Sequence, residues 1–129
     1  MKIFLLFAAL LLSATGQQCQ GPDISAQLHK KWIHSYEEDA DGAEAYRPSG
    51  YAFPPARGRR GMEFKADGTF IRYDIAPTDG SLPVPGTWEP VKGEKAVQIK
   101  VQGDRPETYR LEIVSLGDSL LRVKRAEMP

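Results

Sequence analysis

The segment 62–75 has the pattern of a β-hairpin, and no other part of the sequence constrains the fold as strongly. Apolar residues alternate with polar ones on both sides of the sequence ADG. A three-residue loop that ends in glycine is typical of a type I turn followed by a bulge, which predicts a left-handed Gly68. In this register Phe64 lies opposite Phe70 on one face, and Arg72 and Asp74 share that face.

Five further segments have the alternation or the bounding turns of short strands. They are residues 30–36, 86–89, 97–101, 109–114 and 121–124. Short strands joined by tight turns indicate an antiparallel sandwich or a small barrel, and single apolar faces on the last three suit a closed sheet. We therefore expect an all-β fold, an up-and-down antiparallel β-barrel of about seven strands.

A long connection rich in acids, prolines and arginines separates the first strand from the hairpin. Five acidic residues fall within 37–45, and the loop from Tyr46 to Gly61 contains four arginines and the pair Pro54-Pro55. Adjacent prolines exclude a helix interior and a central strand. About 25 residues without regular structure are unusual in a compact domain, and such loops are functional or disordered. Aromatic residues such as Tyr51 favour a loop held on the body of the protein.

The first sixteen residues have the features of a secretory signal peptide. Lys2 precedes an apolar run at 3–12, and residues 14–16 are small enough for cleavage. The run is too short for a membrane-spanning helix, which needs roughly 20 apolar residues. Residues 17–27 are polar and predict a flexible tail, which leaves 28–125 as the barrel domain. We therefore expect a secreted or periplasmic protein.

Cysteine content and net charge narrow the classes of protein to which this chain could belong. Cys19 is the only cysteine, so no intrachain disulfide can form. A lipid anchor on Cys19 is the alternative to a free thiol, but lipoprotein signals have a small residue where this chain has Gln18. Of 17 basic and 17 acidic side chains, Lys2 leaves with the signal peptide, and the resulting net charge of −1 gives no drive toward nucleic acid.

Four of these segments together resemble small exported bacterial lipocalin-like proteins of unassigned function. The shared features are Trp32 in the opening strand, the FKADGTF hairpin at 64–70, GTW at 86–88 and YRLEIVSLGDSLL at 109–121. The resemblance spans residues 30–124. It implies a compact β-barrel with a cavity for an apolar ligand, in which a few polar groups lie among apolar walls.

Candidate ligand-binding residues combine aromatic walls with guanidinium groups that can pair with an acid. They are Trp32, Tyr51, Arg57, Arg59, Phe64, Phe70 and Arg72. Each has a structural alternative. Trp32 suits a core, the loop arginines can pair with the acids at 37–45 and pin the loop, and Arg72 can pair with Asp74.

No motif for catalysis or for metal binding stands out in the sequence. It contains no nucleophile elbow, no Gly-rich phosphate loop and no zinc-ligand spacing. His34 with Glu37 is a weak candidate for esterase-like or isomerase-like chemistry, because an extended strand would direct the two side chains to opposite faces. We therefore expect a protein that is not an enzyme and has no cofactor.

Two functions remain open from the sequence. The first is the binding of a small apolar or amphipathic acid by a monomeric exported module. The second is a protein-interaction module with a filled core that docks onto an envelope partner through the loop from Tyr46 to Gly61. A barrel that encloses about a few hundred Å³ favours the first function, and a solid core favours the second.

Overall fold

The computed structural model describes residues 24–127. The predicted signal peptide, residues 17–23 of the predicted tail and Cys19 lie outside the described residues. The described part of the chain contains no helix that could cross a membrane. Its elements are α1 (Ile24–Leu28), β1 (Lys31–His34), a 3₁₀ turn (Tyr36–Glu38), β2 (Glu44–Pro48), β3 (Gly61–Phe64), β4 (Thr69–Ile75), β5 (Ser81–Pro90), β6 (Ala96–Val101), β7 (Glu107–Leu116) and β8 (Leu121–Glu127).

The eight strands form one closed antiparallel barrel, which confirms the predicted all-β class and the predicted closure. Around the barrel the order is β1-β2-β8-β7-β6-β5-β4-β3, so β3 to β8 run up and down. The predicted seven strands are one fewer than observed, because β2 lies in the segment predicted to be a loop. The strand β1 pairs with both β2 and β3, and β2 completes the barrel against β8.

The predicted hairpin register is confirmed. Phe64 lies opposite Phe70, their ring centroids are 5.2 Å apart, and Gly68 has φ +92°. Trp88 packs edge to face on Phe64 with a centroid distance of 5.3 Å. These rings fill one end of the barrel, which we call the closed end.

The helix α1 covers the closed end. Its last residue, Leu28, is fully buried, and the Leu28 carbonyl accepts a hydrogen bond from Trp32 Nε1 at 3.2 Å. The ring of His29 packs edge-on against Trp88 at 5.8 Å. The prediction of a tail up to residue 27 therefore differs from the structure, in which helical order begins at Ile24 because Leu28 is buried in the core.

The strand β5 is longer than predicted and contains Pro83 and Pro85. The sequence predicts a turn-rich connection up to residue 85, whereas both prolines pair with β4 in the structure. The carbonyl of Pro85 accepts a hydrogen bond from the N–H of Gln102, just past the end of β6. The backbone nitrogens of these prolines thus point away from β4, toward the side of β6. On that side the ladder with β6 has already stopped, so a missing N–H costs little.

Pairing of β1 with two antiparallel neighbours makes β2 and β3 parallel to each other. The chain must therefore return along β1 before β3 can begin. Residues 49–60, which we call the crossover loop, make this return outside the barrel, because buried side chains of β1 occupy the inside. The predicted long loop is thus interrupted by β2 and by the 3₁₀ turn. The strand predicted over residues 30–36 ends at His34 in the structure, and Tyr36 is exposed in the 3₁₀ turn.

Gly86 tests how closely β5 approaches β6. A Cβ at this position would collide with the carbonyl oxygen of Lys100 and with Val101 Cα, and backbone atoms cannot move aside cheaply. We expect Gly86→Ala to lower the free energy of unfolding by about 2 kcal/mol or more in urea denaturation. Gly50→Ala is the matched control, because Gly50 has open space around it. Equal stability of the two variants would contradict the close approach.

Candidate functional site

The interior of the barrel divides into the apolar closed end and an opposite polar end. An eight-stranded barrel is just wide enough for side chains to fill it or for one small ligand to be held. At the closed end Trp32, Phe64 and Phe70 are at most 1% exposed and pack in the core. The polar end has two cavities, which are described below, and these three candidates line neither of them. The aromatic side chains predicted as the wall of a ligand site therefore lie in the core.

A cavity of about 120 Å³, which we call the inner cavity, lies at the polar end. Met62 and Leu111 form its apolar floor. Its walls carry tyrosines and charged groups from four strands and from the end of the crossover loop. These wall residues are Glu44, Tyr46, Arg60, Arg72, Asp74, Tyr109 and Arg125.

Arg72 is the sequence-predicted ligand residue that lines the inner cavity. Its Nε and Nη2 donate to the Asp74 carboxylate at 2.9 and 3.2 Å, and its Nη1 donates to Glu107 at 3.2 Å. Burial lowers the pKa of Arg72, but hydrogen bonds to Asp74 and Tyr109 outweigh burial and hold the pKa above its usual value. The guanidinium therefore stays charged, and the pairing with Asp74 that the sequence allowed is formed.

Glu107 joins Arg72 to a second arginine, Arg125. The carboxylate accepts from Arg125 Nη2 at 2.7 Å and from Arg72 Nη1 at 3.2 Å. The bond from Arg125 is the larger cause of the lowered pKa of Glu107, so this carboxylate stays ionised. The Arg125 guanidinium also lies 4.0 Å from the centroid of the Tyr109 ring. Two arginines at the polar end thus share one carboxylate.

An open cleft of about 360 Å³, the outer cleft, adjoins the inner cavity on the β4–β5 side. Arg72 and Asp74 line both spaces and lie at their junction. Leu82 and Val84 form the apolar wall of the outer cleft, and Leu82 is 49% exposed. Charged side chains therefore lie where the two spaces meet, and accessible apolar side chains line the outer cleft.

The opposite wall of the inner cavity is a hydrogen-bonded network around His34. Arg60 Nη2 donates to Glu44 at 2.9 Å and to His34 Nδ1 at 3.1 Å. A guanidinium only donates, so Nδ1 accepts and the ring proton resides on Nε2, which donates to Asp39 at 2.9 Å. Burial raises the pKa of Tyr46, whose hydroxyl donates to Glu44 at 3.0 Å. Each side chain of this network thus has at least one hydrogen-bonding partner within the protein.

Arg59 anchors the crossover loop outside the barrel. Its guanidinium donates to Glu37 at 2.6 and 2.9 Å and to two main-chain carbonyls at 2.8 and 3.0 Å. It also lies 4.7 Å from the Tyr36 ring centroid and 4.8 Å from that of Phe53. Because Glu37 is held here, it does not meet His34, and the weak catalytic pair considered from the sequence is not formed.

Two further arginines of the segment predicted as a loop, Arg47 and Arg60, also pair with acids that precede them. Arg47 binds Glu38 at 2.7 Å, and Arg60 binds Glu44 at 2.9 Å. Ion pairs between residues 9, 16 and 22 positions apart thus hold this part of the chain on the barrel. This is the structural alternative to a loop whose guanidinium groups await a ligand.

The remaining candidates lie away from both cavities. Arg57 and Tyr51 are exposed on the crossover loop and line neither the inner cavity nor the outer cleft. Of the seven predicted ligand residues, only Arg72 lies at these cavities. Alternation predicts which face a side chain joins, but not its depth along the barrel or whether a loop covers the barrel mouth.

Sequence reasoning missed Glu107 and Arg125 as site residues. Tyr109 and Leu111 are predicted to share a face, and one further step of the same alternation reaches Glu107. The same step beyond Val123 reaches Arg125. The signal is weak, because charged residues at strand ends are usually solvent-exposed.

Comparison of the chain with protein-family models, with curated proteins and with solved structures finds no match. The lipocalin-like resemblance therefore stays a prediction. Across residues 24–127, no three His, Cys, Asp or Glu side chains converge as a metal site would require.

Two arginines two positions apart test the anchoring of the crossover loop. We expect Arg59→Ala to lower Tm by roughly 5 °C or more, because its charged hydrogen bonds and its stacking between two rings are lost together. Arg57→Ala, with the same change of charge, should shift Tm by less than about 2 °C, because Arg57 is exposed. Differential scanning calorimetry compares the two, and equal shifts would show that Arg59 does not anchor the loop.

Glu38 predicts a pH dependence of stability. Hydrogen bonds from Arg47 and then from Ser35 lower its pKa from 4.5 to about 2. A carboxyl group whose pKa is lower in the folded than in the unfolded state stabilises the fold above about pH 4.5, and this contribution is lost as the pH falls toward 2. We expect the stability difference between the wild type and Glu38→Gln to shrink over that range in urea denaturation. A difference that is independent of pH would contradict this assignment.

Proposed function

We propose that this chain is an exported protein that binds a small amphipathic acid at the polar end of its barrel. The acid group contacts Arg72 in the inner cavity, and the apolar part of the ligand extends along Leu82 and Val84 in the outer cleft. The observation that supports this most directly is the position of Arg72 where the two spaces meet. Export is supported by the predicted signal peptide.

The sizes of the two spaces restrict the ligand. A cavity of about 150 Å³ holds one benzene molecule, so the inner cavity of about 120 Å³ has room for an acid group and a few carbons. Pockets for drug-sized ligands measure roughly 300–1,000 Å³, and the outer cleft of about 360 Å³ is at the lower limit of that range. A short-chain acid is therefore favoured over a long fatty acid, whose chain would extend into solvent.

The inward position of Arg72 is poorly explained by stability alone. Charges inside a barrel lose hydration, and the replacement of buried ion pairs by apolar side chains is often neutral or stabilising. The Arg72 side chain remains 23% exposed, so a ligand can reach its guanidinium from solvent. An accessible arginine beside apolar walls is the arrangement that an amphipathic acid requires.

Titration of hexanoate by isothermal calorimetry tests the proposal. We expect saturable binding to the wild type and at least about tenfold weaker binding to Arg72→Gln, because a charge-assisted hydrogen bond to the carboxylate is lost. Hexanol, which lacks the charge, should bind weakly to both proteins.

Arg110→Gln is the matched control for this titration. Arg110 lies on β7 but pairs with Glu94 on the outside of the barrel, so this variant should bind hexanoate as the wild type does. Absence of saturable binding to the wild type, with hexanoate and with acids of roughly four to ten carbons, would refute the proposal. Unchanged affinity of a folded Arg72→Gln protein would refute it as well.

A second candidate function is a protein-interaction module that docks onto an envelope partner through the loop from Tyr46 to Gly61. The observation that favours it is the exposure of Tyr51, which is 39% exposed and has the Arg47 guanidinium 4.7 Å from its ring centroid. Tyrosine and arginine are the residue types that most often dominate binding energy at protein interfaces. The filled closed end is compatible with this function. Failure of every acid to bind the folded wild type would favour it.

A further inference from the structure

Glu107 lies where the carboxylate of a ligand would meet two arginines. One of its oxygens is 2.7 Å from Arg125 Nη2, and the other is 3.2 Å from Arg72 Nη1. Two guanidinium groups that share the two oxygens of one carboxylate form a binding site for that group. In this structure the binding site is filled by a side chain of the protein itself.

We infer that Glu107 is an internal competitor of the ligand, and that a monocarboxylate binds by displacing it from Arg72 and Arg125. This inference rests on the proposed function, since it concerns the same site. It adds the class of the ligand, which is an acid with a single negative charge, and it assigns to Glu107 the control of affinity.

The position of Glu107 allows its displacement without a change of fold. Glu107 is the first residue of β7, it follows the exposed turn 102–106, and its side chain is 34% exposed. Rotation of this side chain toward solvent leaves the pairing of β6 with β7 intact, because that pairing uses the backbone. Ion pairs that solvent can reach are weak, so a carboxylate ligand can replace one.

The single charge of Glu107 specifies a monoanion. Rotation of Glu107 toward solvent takes one negative charge away from Arg72 and Arg125, and a ligand with one carboxylate restores it. Asp74 stays bound to Arg72. A phosphate dianion would bring a second negative charge close to Asp74, which would repel it.

Glu107→Gln tests the inference because it removes the competing charge and keeps the shape of the side chain. We expect this variant to bind hexanoate roughly five- to tenfold more tightly than the wild type by isothermal calorimetry. Its Tm without ligand should fall, since the bonds from two arginines are weakened. Tighter binding by a less stable protein is the signature of a competitor, because loss of a residue with only a structural role would not tighten binding.

Glu112→Gln is the matched control, since Glu112 is an exposed acid on the outside of the same strand, and its hexanoate affinity should equal that of the wild type. Tighter binding by Glu107→Gln than by the wild type, together with unchanged binding by Glu112→Gln, supports the inference. Equal or weaker binding by Glu107→Gln, when the wild type does bind, overturns the inference and leaves the proposed function intact. Failure of both proteins to bind overturns both.

Discussion

Strand β1 is hydrogen-bonded along both of its edges, and the rest of the structure depends on this pairing. With β2 on one side and β3 on the other, the sheet closes into a barrel. The same pairing makes β2 and β3 parallel, so the chain must cross outside β1. A crossover without ladder partners needs side-chain anchors, and Arg59 supplies them through an ion pair, two carbonyl contacts and two aromatic rings.

The interior of the barrel serves stability at one end and leaves room for binding at the other. At the closed end Phe64, Phe70 and Trp88 fill the available width, and α1 seals it with Leu28. At the polar end paired charged side chains and two tyrosines surround the inner cavity. Because the apolar core lies apart from these charges, the polar end can carry a solvent-accessible cluster while the closed end maintains the fold.

Arg59 and Arg72 show how the same residue type can lie in different surroundings. Both are arginines that bind a carboxylate through short hydrogen bonds. The partners of Arg59 lie outside the barrel and keep its side chain only 9% exposed, so it holds the chain in place. Arg72 lies between two spaces that solvent can enter, and one of its partners, Glu107, is also bound to another arginine. The surroundings, and not the ion pair, distinguish the two arginines.

The sequence by itself determined the all-β class, the hairpin register of Phe64 with Phe70, and the inward face that carries Arg72. These features depend on turn chemistry and on a two-residue period, which neighbouring residues impose on one another. Only the tertiary structure decided that β2 is a strand, that residues 49–60 cross over β1, and that Phe70 is core while Arg72 lines a cavity. It also brought Glu107 to Arg72 across 35 positions of the chain. Such contacts arise from closure of the barrel, in which the partners of each strand are set by the whole sheet.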